Sequence, residues 1–175
     1  MTHIKNIVLI LFTLLSYDVF SIEVQYLFDS RYEKFADFAS HPFKDRHSYT
    51  HAELFADYLN FDKERLKKNN INIFKCEEDL SSDLIIQIRP NFFYNPLMTK
   101  MYGQLKINFF TGDNSLIEEQ VFEEEISMNF NDYPEKNLLI TYEIMFRQVI
   151  DHINNLYQTN SINDITGGFC KIIKN

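Results

Sequence analysis

At 175 residues the chain has room for one domain. With 45% apolar and 24% charged residues it has a globular balance, which excludes a disordered tail or a low-complexity array. Four Gly and four Pro exclude collagen-like and linker-rich architectures, and a formal charge of −8 argues against a dedicated nucleic-acid binder, whose footprint is basic.

Residues 1–21 read as a secretory signal peptide. His3 and Lys5 give a weakly basic start, Ile7 to Leu15 is a nine-residue apolar run, and Val19-Phe20-Ser21 supplies small or compact residues before a cut at Ile22. The run is too short to cross a hydrocarbon core of about 30 Å as a helix. An uncleaved anchor or a buried N-terminal helix is the competing reading. No Cys stands at the cleavage region to carry a lipid, and no later stretch is long and apolar enough to span a membrane. The expected product is a single exported domain, residues 22–175, periplasmic or secreted.

In the exported part, Ile22, Val24, Tyr26 and Phe28 alternate as a strand does. Ser30-Arg-Tyr-Glu33 has the form of a capping box, and Tyr32, Phe35, Ala36 and Ala39 continue at helical spacing, so a short helix is expected before Pro42. Thr50-His-Ala-Glu53 is a second capping box. It opens a helix with Leu54, Phe55, Tyr58 and Leu59 inward, running to Leu66, with Asn60 as a place to recap or kink and Lys67 to Asn70 as exit residues.

The middle is strand-rich. A short run ends at Cys76, and Leu84, Ile86 and Ile88 share one face after Asp83. Pro90 and Pro96 flank Phe92-Phe93-Tyr94, and because Pro lacks a ladder donor this stretch belongs at an edge or a bend. Leu105, Ile107 and Phe109 alternate with polar neighbours. The turn cluster Thr111-Gly112-Asp113-Asn114 then leads to a strand from about Ser115 to Met128, completing a hairpin. After Pro134, a wide apolar stripe from Leu138 to Tyr157 predicts a long amphipathic helix, with Glu143, Arg147, Asp151 and Asn154 on its other side and His152 as a partly exposed surface residue. A Gly167-Gly168 turn precedes a short terminal strand. The expected fold is α+β: an antiparallel sheet of about four to six strands with helices packed mainly on one face.

Cys76 and Cys170 are the only cysteines. In an oxidising compartment an even count favours one disulfide. It would bring the terminal strand beside the run that ends at Cys76 and contribute up to about 4–5 kcal/mol through loop closure. Two buried free thiols are the alternative, and neither Cys carries a catalytic or redox signature.

The order from Leu54 to Tyr157 is helix, short strand, Ser82-Asp-Leu-Ile-Ile-Gln-Ile88, a hairpin containing Tyr102-Gly103-Gln-Leu-Lys-Ile107, and a long helix. It resembles the small envelope modules of Gram-negative bacteria, among them the lipopolysaccharide-assembly lipoprotein family and the auxiliary lipoproteins of lipid-transport systems. Those families carry a lipidated Cys after the signal, which this chain lacks. The resemblance implies a non-catalytic periplasmic protein that binds an envelope component, and it assigns no functional residue.

Three groups of residues could carry chemistry. His47 and His51, with His41 nearby, have the spacing of metal ligands on a helix, but Thr50 as the N-cap leaves His47 outside the helix, and a polar loop is the simpler reading. Glu118, Glu119, Glu123 and Glu125 form either a solvated acidic face or a docking face for a cationic partner. Adjacent strand residues face opposite ways, so Phe92 and Phe93, or Phe109 and Phe110, cannot share one buried face: either both faces of the sheet are covered or an apolar patch is exposed. Phe92, Phe93 and Tyr94 are therefore the candidate partner-binding residues.

With no nucleophile elbow, P-loop, dinucleotide fingerprint or zinc-protease motif in the sequence, no enzyme activity and no cofactor are expected. The expected function is an exported binding or accessory protein acting on an envelope component, with a protein or envelope partner and no nucleic acid. A periplasmic inhibitor or immunity protein that blocks a basic toxin or lytic enzyme through its acidic face is the alternative. A metal- or thiol-dependent enzyme built on His41, His47 and His51 is a third.

Overall fold

The alternating stretch from Leu84 to Ser127 folds into a three-stranded antiparallel meander that organises the rest of the chain. The computed structural model describes residues 21–29, 36–39, 46–77, 80–95, 97–127, 134–159 and 168–170. Residues 1–20 of the signal segment, the Ser30-Arg-Tyr-Glu33 capping box and His41 lie outside the described residues.

In chain order the elements are β1 (Ile22–Phe28), β2 (Ala36–Ala39), β3 (Arg46–Tyr49), α1 (His51–Phe61), α2 (Lys63–Lys68), β4 (Ile71–Lys75), β5 (Ser81–Ser82), β6 (Leu84–Asn95), β7 (Lys100–Thr111), β8 (Leu116–Ser127), α3 (Pro134–Gln158) and β9 (Gly168–Phe169). The main sheet runs β4-β1-β6-β7-β8, and the short pairs β2-β3 and β5-β9 form separate ladders, with β2 beside β6 and β5 beside β1.

The α+β fold is as expected: a five-stranded, mostly antiparallel sheet with the helices packed on one face. Two details differ, the first being that β1 pairs in parallel with both β4 and β6. A hairpin advertises itself locally by its turn, whereas a parallel pair is joined by a long crossover that leaves no local mark. The short helix expected before Pro42 is absent at Ala36–Ala39, which forms a strand whose backbone pairs with Arg46–Tyr49. Nucleating so short a helix is unfavourable, and strand pairing satisfies the same backbone groups.

Helix α1 begins as the capping box requires: the Thr50 hydroxyl accepts from the Glu53 N–H at 3.3 Å. It stops at Asp62, whose N–H still donates to the Tyr58 carbonyl while its carboxylate accepts from the Tyr58 hydroxyl at 2.7 Å. α2 then exits through Asn70, which takes the left-handed conformation (φ 53°) that Asn tolerates.

One sheet face carries the main core. Val24, Leu84, Ile86, Ile88, Leu105, Ile107 and Phe109 meet Leu138, Tyr142, Met145, Phe146, Val149 and Ile153 of α3, with Leu54, Phe55 and Tyr58 of α1 beside them. The two helical layers are tied at the surface by Arg65 and Asp151, 3.0 Å apart. Gly103 lets α3 approach the sheet. A Cβ there would lie 2.5 Å from Thr141 Cγ2, 2.8 Å from Met145 Cε and 2.9 Å from Phe92 Cε1. Gly103→Ala is expected to destabilise by about 1–3 kcal/mol, read by denaturant midpoint, because three packed groups must move to admit one methyl.

Among the described residues the other sheet face has an apolar cover at one end. There Cys76 and Cys170 are joined by a disulfide, and Cys170 packs with Ile85 and Phe110 in a second small core flanked by Leu27. β9 pairs with β5 beside it, and Cys170 sits next to the end of β4, as expected of a Cys76–Cys170 bond. Gln25, fully buried on this face, donates to the Leu80 carbonyl and accepts from the Glu77 N–H.

Candidate binding surface

The outer face of the sheet divides into three zones along β6 and β7. At the disulfide end it is apolar and covered. In the middle it is polar: Arg89 Nε lies 3.3 Å from Asp29 Oδ2, and Gln87 Oε1 accepts from Arg89 Nη2 and from Asn108 Nδ2. At the far end it is open.

β1 pairs with β6 only from Leu84 to Ile88. The Asp29 N–H donates to the Ile88 carbonyl, so the backbone groups of Ile88, and of Pro90 two residues on, point to the side from which β1 has already departed. Pro90 thus removes no ladder donor, and the edge position expected for this stretch is what the strand provides. From Asn91 to Asn95, β6 continues paired with β7 alone within the main sheet.

On this far end Phe93 and Tyr102, directly opposite each other, stack with centroids 5.6 Å apart on the open face. Phe93 is 55% exposed. They border a hollow of about 510 Å³ lined also by Asn91, Gln104, Glu123 and Glu125. Beyond them the β6–β7 turn presents Leu97, 95% exposed, and Met98, 53% exposed. The Asn95 side chain holds this turn by accepting from the Leu97 and Met98 N–H groups. Thr99 closes it with φ 51°, a left-handed conformation that costs a β-branched residue about 1–2 kcal/mol.

The three aromatic candidates therefore part company. Phe93 faces solvent. Phe92 turns to the helix side, where it stacks on Tyr142 at 4.5 Å, and Tyr94 packs against the same core. Tyr102 and the turn residues Leu97 and Met98 were missed from the sequence. The register that sets Tyr102 opposite Phe93 was the signal that would have found the first.

The acidic set is likewise not one face. Glu118 turns to the helix side and bonds to His152, which is half-buried between Phe109 and Phe122. This corrects the grouping of Glu118 with the others, while His152 is partly exposed as expected, its side chain at 24%. Glu119, Glu123 and Glu125 do share the open face, and β7 already meets them: Lys106 lies 2.8 Å from Glu119, Gln104 donates to Glu123 at 2.5 Å, and Lys100 pairs with Glu125.

His51 is the first residue of α1 and is buried. Its Nδ1 shares a hydrogen bond with the Tyr142 hydroxyl, and its ring lies against Phe92. Burial pushes its pKa down to about 4 and raises that of Tyr142. His47 lies on β3 opposite Phe38. Among the described residues no three His, Cys, Asp or Glu side chains converge as a metal site would require.

The neutral His51 makes stability depend on pH. An unfolded His protonates near pH 6.5 while the folded one resists until about 4, so the unfolded state binds more protons between these values. The His51 contribution is expected to be full above about pH 7 and to be lost, by about 3 kcal/mol, as pH drops to about 4. Urea midpoints across this range measure it, and His51→Asn should remove most of the slope.

A second, smaller hollow of about 320 Å³ lies between α1 and α3, with Phe61, Leu139 and Ile140 among its lining residues. No helix among the described residues is long and apolar enough to cross a membrane.

No family model and no curated protein matches the chain. Among solved structures, a minor lipoprotein from Acinetobacter baumannii is similar over 83% of this chain and 97% of its own, with a TM-score of 0.42 and 8% identity.

Proposed function

We propose that the chain is an exported, non-enzymatic binding or accessory protein acting on a component of the cell envelope. Its partner meets the open end of the β6–β7–β8 meander. The observation that carries this reading is the stacked pair Phe93 and Tyr102, left open above a hollow, next to a turn that exposes Leu97 and Met98. Exposed apolar side chains gathered at one end of a sheet mark a place where something else binds. Export is supported by the leader-like start and by the joined Cys76 and Cys170, a bond that persists in oxidising compartments.

The inhibitor or immunity alternative has less behind it. Glu118, one of its four carboxylates, faces the helices and is taken by His152. The two readings separate on Phe93. Protein immobilised with that face free should retain an envelope component from a detergent extract, and Phe93→Ser should lower retention about tenfold or more, the size of effect a central aromatic anchor has. Retention untouched by Phe93→Ser and abolished by salt would favour the inhibitor.

A further inference from the structure

We infer that the outer edge of β8 is a strand-addition site for an extended, basic segment of a partner protein. This rests on the binding-protein reading and names the chemistry of the partner.

The backbone geometry comes first. Because the Asp29 N–H donates to the Ile88 carbonyl, even-numbered residues of β6 aim their backbone groups toward β1 and odd-numbered ones toward β7. The β6–β7 and β7–β8 registers carry that alternation across the sheet. Odd-numbered residues of β7 face β8, and the Thr111 N–H donating to the Ser115 carbonyl at 2.9 Å agrees with it. In β8 the groups of Glu118, Gln120, Phe122 and Glu124 point back to β7. Those of Glu119, Val121, Glu123 and Glu125 point out of the sheet. Main-sheet order ends at β8, and no backbone partner for these four N–H groups occurs among the described residues. The strand is 12 residues long and Val121 in its middle is 44% exposed.

A long unpaired edge invites pairing, and proteins guard against it with Pro, Lys or strong twist. Along the outward positions from Glu119 to Glu125 the ladder is regular, since the one irregularity falls at Phe109/Phe110. What guards this strand is charge of one sign, which deters another acidic edge and leaves a basic one admitted. LIEEQVFEEEIS holds Glu118, Glu119, Glu123, Glu124 and Glu125 and no Lys or Arg. That charge chooses the occupant. A second copy pairing antiparallel about Val121 would set Glu119 against Glu123 and Glu118 against Glu124, and like charges directly opposite are destabilising. A segment with Lys or Arg at alternate positions would place each beside Glu119, Glu123 or Glu125, on the same face as the hollow that Phe93 and Tyr102 border. Main-chain bonds would supply affinity, and the alternate basic side chains selectivity.

The test uses short capped peptides and the purified full-length protein. One peptide alternates Lys with Thr, carrying Val where it would face Val121. A second has Glu for every Lys. A third is the first with alternate backbone nitrogens methylated. Only the first should bind by fluorescence anisotropy. Val121→Pro, which removes an outward donor and leaves the β7 ladder whole, should weaken it about tenfold or more, while Val121→Thr should not. Equal binding of the acidic or methylated peptide, or no binding of the basic one, would overturn the inference; the methylated peptide decides even if Val121→Pro fails to fold. Failure here with Phe93→Ser still lowering envelope retention removes the edge site and leaves the proposed function in place. Retention untouched by Phe93→Ser removes the proposed function itself.

Discussion

Truncating Phe146 to alanine is expected to destabilise the protein by about 3–5 kcal/mol, the range for losing a large buried aromatic. Phe146 is the point where the helices meet. Its ring stacks on Phe55 at 4.2 Å, on Tyr58 at 5.2 Å and on Tyr142 at 5.7 Å. The first two belong to α1 and the third lies one turn earlier on α3, so one deletion loosens both the interhelical contact and the platform that carries Tyr142. Aromatic pairs add about 0.5–1.5 kcal/mol each beyond the area they bury, which places the expectation in the upper part of the range. The urea midpoint should fall with little change in slope, as it does when stability alone changes. Phe61→Ala is the matched control: Phe61 is 75% exposed, and its loss should move stability by no more than about 0.5 kcal/mol.

Breaking the Cys76–Cys170 bond should have a comparable effect, about 2–5 kcal/mol. The two residues are 94 positions apart, so the bond closes a loop over more than half the chain and withholds many conformations from the unfolded state. The site adds a second penalty. Cys170 is fully buried against Ile85 and Phe110, in the only cover that end of the outer sheet face has among the described residues. Cys76→Ala/Cys170→Ala should therefore lose more than loop closure alone and expose Phe110. Chemical denaturation of the wild-type protein with and without reductant measures the first part. The double variant measures both.

How far the fold was readable depended on whether each element was specified locally. The β7–β8 hairpin was legible because Thr111-Gly112-Asp113-Asn114 makes its own turn: Asn114 takes φ 68°, and the Thr111 and Asp113 side chains hold Ser115. Helix α1 was legible because Thr50 and Glu53 cap it, and α3 because its stripe is long. The parallel placement of β1 between β4 and β6 was not legible, since neither partner is a sequence neighbour.

The binding surface was half legible. Alternation showed that Phe92 and Phe93 must face opposite ways, and so did Phe109 and Phe110. Which member of each pair would be covered turned on distant chain: the disulfide and tail reach Phe110, and nothing among the described residues covers Phe93 to the same degree. Glu118 was misgrouped for a related reason. It was set beside Glu119 as part of one acidic run, although adjacent strand positions lie on opposite faces, and His152 on α3 takes it on the helix side.

The central claim is that the open end of the meander meets a partner. Site-specific photo-crosslinking in living cells tests it most directly, with the photoreactive residue at Phe93, at Leu97, or at Asp151 on the exposed side of α3 as the control. The account predicts a discrete adduct from positions 93 and 97 and none from 151. No adduct from 93 or 97, or the same adduct from 151, would contradict it.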